Sequence, residues 1–246
     1  MSTLLINGCS YAHAWDSIWD GSPIIQNFNK TTELGTKLGF DQTVNLGYQG
    51  GSNKRTFRTT MEYILENDSV EFVILMLTFW GRDEGPWAES IPIEGPWISH
   101  NTTIATGTLE HHNRKLTIPL KTLQQYLDLQ RLVDFDASHH CDTLITDLLC
   151  LIGWLKSRNI KYCIFGACDM EYSRHTLSPI KQRELLTDPG VINIFEWSSN
   201  KFLYESGARY NISDVRQIPL IRHYLPQDHG VLNDFLYNYI TDNKLL

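Results

Sequence analysis

Glu71-Phe72-Val73-Ile74-Leu75-Met76-Leu77 carries one charge at its head and is apolar from there on. A strand with one wet face alternates apolar and polar residues, whereas this run does not alternate, as expected of a strand covered on both faces. Such strands belong to parallel sheets with helices on either side. On its N-terminal side, Ser52 reads as the N-cap of a helix over Asn53 to Glu66, with Phe57, Met61, Tyr63 and Ile64 available for a buried face. Earlier still come a short strand, Thr43 to Leu46, and a helix over Asn29 to Leu38 ended by Gly39. Thr3 to Asn7 is a buried first strand, with a tight turn at Gly8. On the C-terminal side, Gly85 to Leu120 breaks the rhythm with Pro86, Pro92, Pro96 and Pro119. It reads as an insertion carrying a hairpin around Thr102 to Ile118. Helical pattern resumes from Leu123 to Ser157, Ile160 to Gly166 is another buried strand, and a helix is expected near Ile194 to Tyr204. Val231 to Ile240 is a last helix with Leu232, Phe235, Leu236 and Tyr239 on one side. Strands alternate with helices and no repeat is visible. The expectation is one α/β domain over residues 1–246, a three-layer α/β/α sandwich with a mostly parallel, flavodoxin-like sheet.

Composition agrees with a self-sufficient core. Of 246 residues, 42% are hydrophobic and 20% charged, enough to bury a full interior without staples. The formal charge of -7 repels nucleic-acid phosphate and anionic lipid, so neither is an expected partner. The five cysteines are odd in number and form no C-x-x-C pair, which favours a reducing compartment. Cys150 and Cys163 lie in apolar runs and read as small core residues. The first residues lack a basic leader, and no apolar run approaches the ~18 residues of a membrane span. A cytoplasmic location is expected.

In parallel α/β sheets, sites gather beyond the carboxyl ends of the strands. Here the first strand ends in Gly8-Cys9-Ser10-Tyr11 and the second in Asn45-Leu46-Gly47-Tyr48-Gln49-Gly50-Gly51-Ser52-Asn53. The third ends in Thr78-Phe79-Trp80-Gly81-Arg82-Asp83-Glu84, and Asp228-His229 stands just before the last helix. Acyl transfer needs a hydroxyl nucleophile, a base to take its proton, and donors aimed at a developing oxyanion. Ser10 on a tight turn can present such a hydroxyl above the sheet. Gly50, lacking a Cβ, lets backbone approach a substrate closely.

This series of blocks resembles the SGNH, or GDSL, hydrolase superfamily, and is similar to small phage and bacterial members of it. In that family a Ser follows the first strand, a Gly the second and an Asn the third, with a His near the C-terminus, usually three residues after an Asp. The resemblance implies Ser10 as nucleophile, Gly50 and the Ser10 amide as oxyanion hole, and His229 as general base beside Asp228. Asn53, Thr78 and Arg82 join the oxyanion and substrate-binding set. Cys9 stands where the family has Asp, Asp83 where it has Asn, and Pro226 three residues before His229. An ionised Asp83 accepts hydrogen bonds but donates none, which leaves Thr78 or Arg82 to supply the donor. Pro226 has no group to orient an imidazole. A Ser–His dyad with the ring held by a backbone carbonyl is the fallback. The implied activity is that of a serine esterase or acyl hydrolase acting on a small or carbohydrate-linked ester, with no metal or organic cofactor. The same dyad serves an O-acyltransferase. A decayed site would leave a binding or virion structural protein, virion-associated if of phage origin.

Each feature has a plainer reading. Ser10 is also a favoured helix cap, and a His at a helix start often caps. His223 competes with His229 as base, and His13, close to Ser10, is expected on the loop's outer side. Cys9 has no nearby cation to activate it and reads as structural. His111-His112 and His139-His140 match no zinc spacing and read as surface polar residues. Trp80, Trp87 and Trp97 read as core fillers before a sugar platform. Gly50-Gly51-Ser52-Asn53 lacks the full phosphate-loop pattern.

Overall fold

Val70–Leu77 forms an interior strand of a four-stranded parallel sheet. The computed structural model describes residues 1–16, 29–48, 51–78, 82–84, 97–99, 108–111, 114–117, 137–168, 178–208 and 224–246. Strands are β1 (Thr3–Gly8), β2 (Gln42–Asn45), β3 (Val70–Leu77), β4 (Arg82–Glu84), β5 (Trp97–Ser99), β6 (Thr108–His111), β7 (Arg114–Thr117) and β8 (Lys161–Gly166). Helices are α1 (Ser10–His13), α2 (Lys30–Leu38), α3 (Asn53–Glu66), α4 (Ala137–Ser157), α5 (Pro179–Leu186), α6 (Ser199–Glu205) and α7 (Gly230–Asp242). A 3-10 turn, Pro226–His229, leads into α7.

The sheet order is β2-β1-β3-β8, every pair parallel, with Ile6 facing Asn45 on one side and Ile74 on the other. This is the flavodoxin-like order for its first four strands. Val191 and Ser198 add isolated parallel bridges to Ile164 and Gly166 of β8. Leu5, Val73, Leu75 and Leu77 pack in one core with Phe57 of α3 and Leu148 of α4. Leu4, Ile6, Ile74 and Met76 pack in the other with Leu34 of α2 and Leu236 of α7. The sheet is therefore the middle of three layers, as expected from its unalternating strands.

The helix ends follow local chemistry. Ser52 caps α3 by accepting from the Arg55 amide at 3.1 Å. Gly39, at φ 88°, closes α2 in the left-handed region that glycine tolerates. Among the described residues no helix is long and apolar enough to cross a membrane.

Two expectations are corrected. Cys150 is exposed rather than in the core. The α4 stripe Leu144, Leu148, Leu151 and Leu155 takes the buried side, and Cys150, two residues from Leu148, stands about 200° around the helix from it. It lines a cleft of about 680 Å³ between α3 and α4, with Phe57, Met61, Leu65 and Trp154. The helix expected from Ile194 begins at Ser199. Asn193 Oδ1 accepts from the Phe195 amide at 3.1 Å and holds a turn there, and Ser198 then caps α6. Helix α5 was unforeseen, although Ser178-Pro179 marks its start as N-cap and first-turn proline. Just ahead of the proline-rich stretch, β4 pairs antiparallel with β5 inside it, and further along β6 pairs with β7 across Thr108↔Thr117. The resumed helix is described from Ala137, and its expected beginning at Leu123 lies outside the described residues.

Candidate active site

Ser10 opens α1 directly past β1, at the carboxyl edge of the sheet, and is 6% exposed. The one-turn helix is fixed by bonds from the amides of His13 to Cys9 O and of Ala14 to Ser10 O. Cys9 makes no side-chain cap bond and is buried, in keeping with a structural role. Gly8 is required by packing. A Cβ there would lie 2.7 Å from Met76 O and 2.9 Å from Ala12 Cβ.

Asn7 is wholly buried and ties this strand to α3. Its Oδ1 accepts from the Gly8 amide at 2.8 Å, while Nδ2 lies 3.0 Å from Thr56 O and 2.9 Å from the Thr59 and Thr60 hydroxyls. A buried amide is stable only when its groups are paired, and here one side chain binds two elements.

The loop after β2 folds onto α1. Asn45 Nδ2 donates to Ala12 O at 3.0 Å and to Asp16 Oδ2 at 2.9 Å, while its Oδ1 accepts from the Gly47 amide at 2.8 Å. Gly47 then abuts α1 so closely that a Cβ would lie 2.6 Å from His13 N. Gly51 returns the chain to Cys9, where a Cβ would be 3.1 Å from Cys9 Cα. Asp16 also accepts from the Thr31 amide at 2.8 Å and from its hydroxyl, joining α2 to the same loop. Gly50 lies outside the described residues. Arg55, buried, stacks its guanidinium 4.4 Å from the Tyr48 ring centroid.

At the end of β3, Asn53 clasps Thr78. Its Nδ2 donates to Thr78 O at 2.9 Å and its Oδ1 accepts from Thr78 N at 2.8 Å. The Asn53 amide is thus engaged with backbone. Thr78 Oγ1 is buried and has no hydrogen-bond partner among the described residues. Arg82 and Asp83 belong to β4, opposite Ser99 and Ile98. Gly81 and Trp80 lie outside the described residues, as do Trp87 and His223.

His229 is buried, at the junction of the 3-10 turn and α7. It occupies the N-cap position of α7 without a side-chain cap bond, so capping does not account for it. Its ring meets that of Trp15, with centroids 6.1 Å apart. Trp15 follows α1, so the turn before α7 reaches the segment that begins with Ser10. Asp228 is half-buried beside it. His13 is half-buried at the end of α1.

The sequence reading overlooked Asn7, Trp15, Asp16, Asn45 and Asn233. The only local signal was a polar side chain set in an apolar run, as with Asn7 and Asn233.

Fold and placement together define a parallel α/β protein with Ser10 and Thr78 at the carboxyl ends of neighbouring strands and His229 at the start of the last helix. No family model and no curated protein matches the sequence. The chain is similar to the solved structure of a psychrotrophic esterase from Pseudoalteromonas sp., at 12% identity and a TM-score of 0.48 over 98% of each chain. It is similar to an acetyl xylan esterase at 13% identity and a TM-score of 0.44, over 98% of each chain. A GDSL-like lipase from Bacteroides thetaiotaomicron shares 9% identity at a TM-score of 0.42, over 98% of this chain and 88% of that one. Likeness at this level assigns neither activity nor residues to this chain.

Proposed function

We propose that the protein is an SGNH-type serine esterase or related acyl hydrolase acting on a small or carbohydrate-linked ester. The observation that carries the proposal is Ser10 at the head of α1, immediately past a central strand, between the Asn45–Gly47 loop and the strand whose end Asn53 clasps. In this reading the Ser10 hydroxyl attacks the ester carbonyl. His229 takes its proton and returns it to the leaving alcohol. The Ser10 and Gly50 amides, with the Thr78 hydroxyl or Arg82, stabilise the oxyanion.

Turnover of p-nitrophenyl acetate tests the assignment. Ser10→Ala and His229→Ala are expected to lower kcat at least about 1000-fold while still unfolding cooperatively. Turnover equal to wild type in Ser10→Ala overturns the proposal. Product analysis in the presence of a sugar acceptor then shows whether water or a hydroxyl takes the acyl group.

A further inference from the structure

Trp15 has no solvent exposure, and its indole is held at one point. Its Nε1 donates to Asn233 Oδ1 at 2.9 Å, and Asn233 Nδ2 donates onward to Lys30 O at 2.8 Å. An indole N–H only donates, so it must meet the carbonyl side of the Asn233 amide. That leaves the NH₂ for the Lys30 carbonyl, which has only acceptor capacity. The two bonds therefore fix the amide's orientation without ambiguity. Asn233 stands four residues after His229, one turn along the same face of α7. The Trp15 ring, locked in this way, lies against the His229 imidazole at 6.1 Å between centroids and 38° between planes.

We propose that Trp15 and Asn233 are positioning residues for His229, holding its imidazole where it can take the Ser10 proton; this rests on His229 being the general base. An imidazole on a Cβ has a broad, roughly two-fold χ2 profile, so its aim must come from neighbours. The indole face and the Asn233 clasp supply such a restraint from the side of α1. The clasp also joins three segments: the turn after α1, the start of α2 and the first turns of α7. A base must sit within hydrogen-bond reach of its proton, and a misplacement of ~1 Å can cost about 100-fold in rate.

The test is steady-state kinetics on p-nitrophenyl acetate with thermal unfolding of each variant alongside. Trp15→Phe keeps an aromatic ring and loses the N–H, and Asn233→Leu removes both bonds. Each is expected to lower kcat about 10- to 100-fold with KM within about twofold of wild type. Asn233→Asp still accepts from the indole and is expected to recover part of the Asn233→Leu loss. In a His229→Ala background neither substitution should lower the residual rate further, because the group they aim is gone. Retention of wild-type kcat in a folded Trp15→Phe or Asn233→Leu variant overturns the proposal. So does an equal further loss in the His229→Ala background, which would mark a purely structural effect. Should Trp15→Phe fail to fold, the Asn233 pair carries the same comparison. Wild-type activity in His229→Ala alone is a different failure, sinking the base assignment itself.

Discussion

The Asn53 side chain closes both backbone groups of Thr78, donating to its carbonyl at 2.9 Å and accepting from its amide at 2.8 Å. This fastens the first residue of α3 to the point where β3 leaves the sheet. Asn53→Leu strands a buried N–H and a buried C=O, and is expected to cost about 3 kcal/mol in urea unfolding. Asn53→Asp keeps the acceptor but sets a carboxylate oxygen against Thr78 O, so it should not restore stability. Equal stability of all three proteins would show that the clasp carries no weight.

Thr78→Val separates stability from chemistry at one atom. The Thr78 hydroxyl is buried and without a hydrogen-bond partner among the described residues, so replacing it by a methyl of the same shape is expected to leave stability unchanged or raise it by about 1 kcal/mol. If the hydroxyl stabilises the oxyanion, kcat on p-nitrophenyl acetate falls about 100-fold in the same variant. Thr78→Ser should retain most of the rate. An unchanged kcat in Thr78→Val removes Thr78 from the oxyanion set.

Gly47→Ala tests the seat of the second loop on α1. The new methyl would meet His13 N at 2.6 Å and Ala12 C at 2.8 Å, both backbone atoms that cannot swing aside. Overpacking of this kind is expected to cost about 1–3 kcal/mol and to displace the turn carrying Ser10. The melting temperature and kcat should therefore fall together. A variant with native stability would mean that the loop moves freely.

Acid sensitivity is expected from Asp188. Burial works to raise its pKa, but Lys156 at 2.8 Å, the Tyr162 hydroxyl at 2.6 Å and the Gly190 amide at 2.9 Å outweigh burial and hold it below its ordinary value. A carboxyl whose folded pKa is depressed adds stability above its unfolded pKa and loses it as pH falls through the folded one. The stability advantage of wild type over Asp188→Asn should thus be constant near neutrality and shrink below the ordinary value of 3.8. An advantage that persists undiminished in stronger acid would contradict this assignment.

The sheet and its covering helices were legible because their signals are local. The unalternating run before Thr78, the Ser52 cap and the Gly39 stop each act within a few residues, and the observed elements follow them. Ser10, Thr78 and His229 were legible as types at strand and helix ends. Their supports were not. Trp15 and Asn233 are 218 residues apart, and Asn7 and Thr60 are 53 apart. A hydrogen bond between distant segments leaves no periodicity in either one. Cys150 misled for the converse reason: an apolar neighbourhood along the chain does not say which side of a helix a residue occupies.

The bond from Trp15 to Asn233 has a consequence for how the protein comes into being. Synthesis delivers β1 and α1 well before α7, and a domain generally folds as a unit. A nascent chain that has released the sheet but not α7 holds Trp15 without its amide partner and Ser10 without His229. If the proposed mechanism operates, ester hydrolysis in a ribosome-release time course rises only with the emergence of α7. Under the proposed mechanism, a chain that stops before α7 holds its nucleophile without its base.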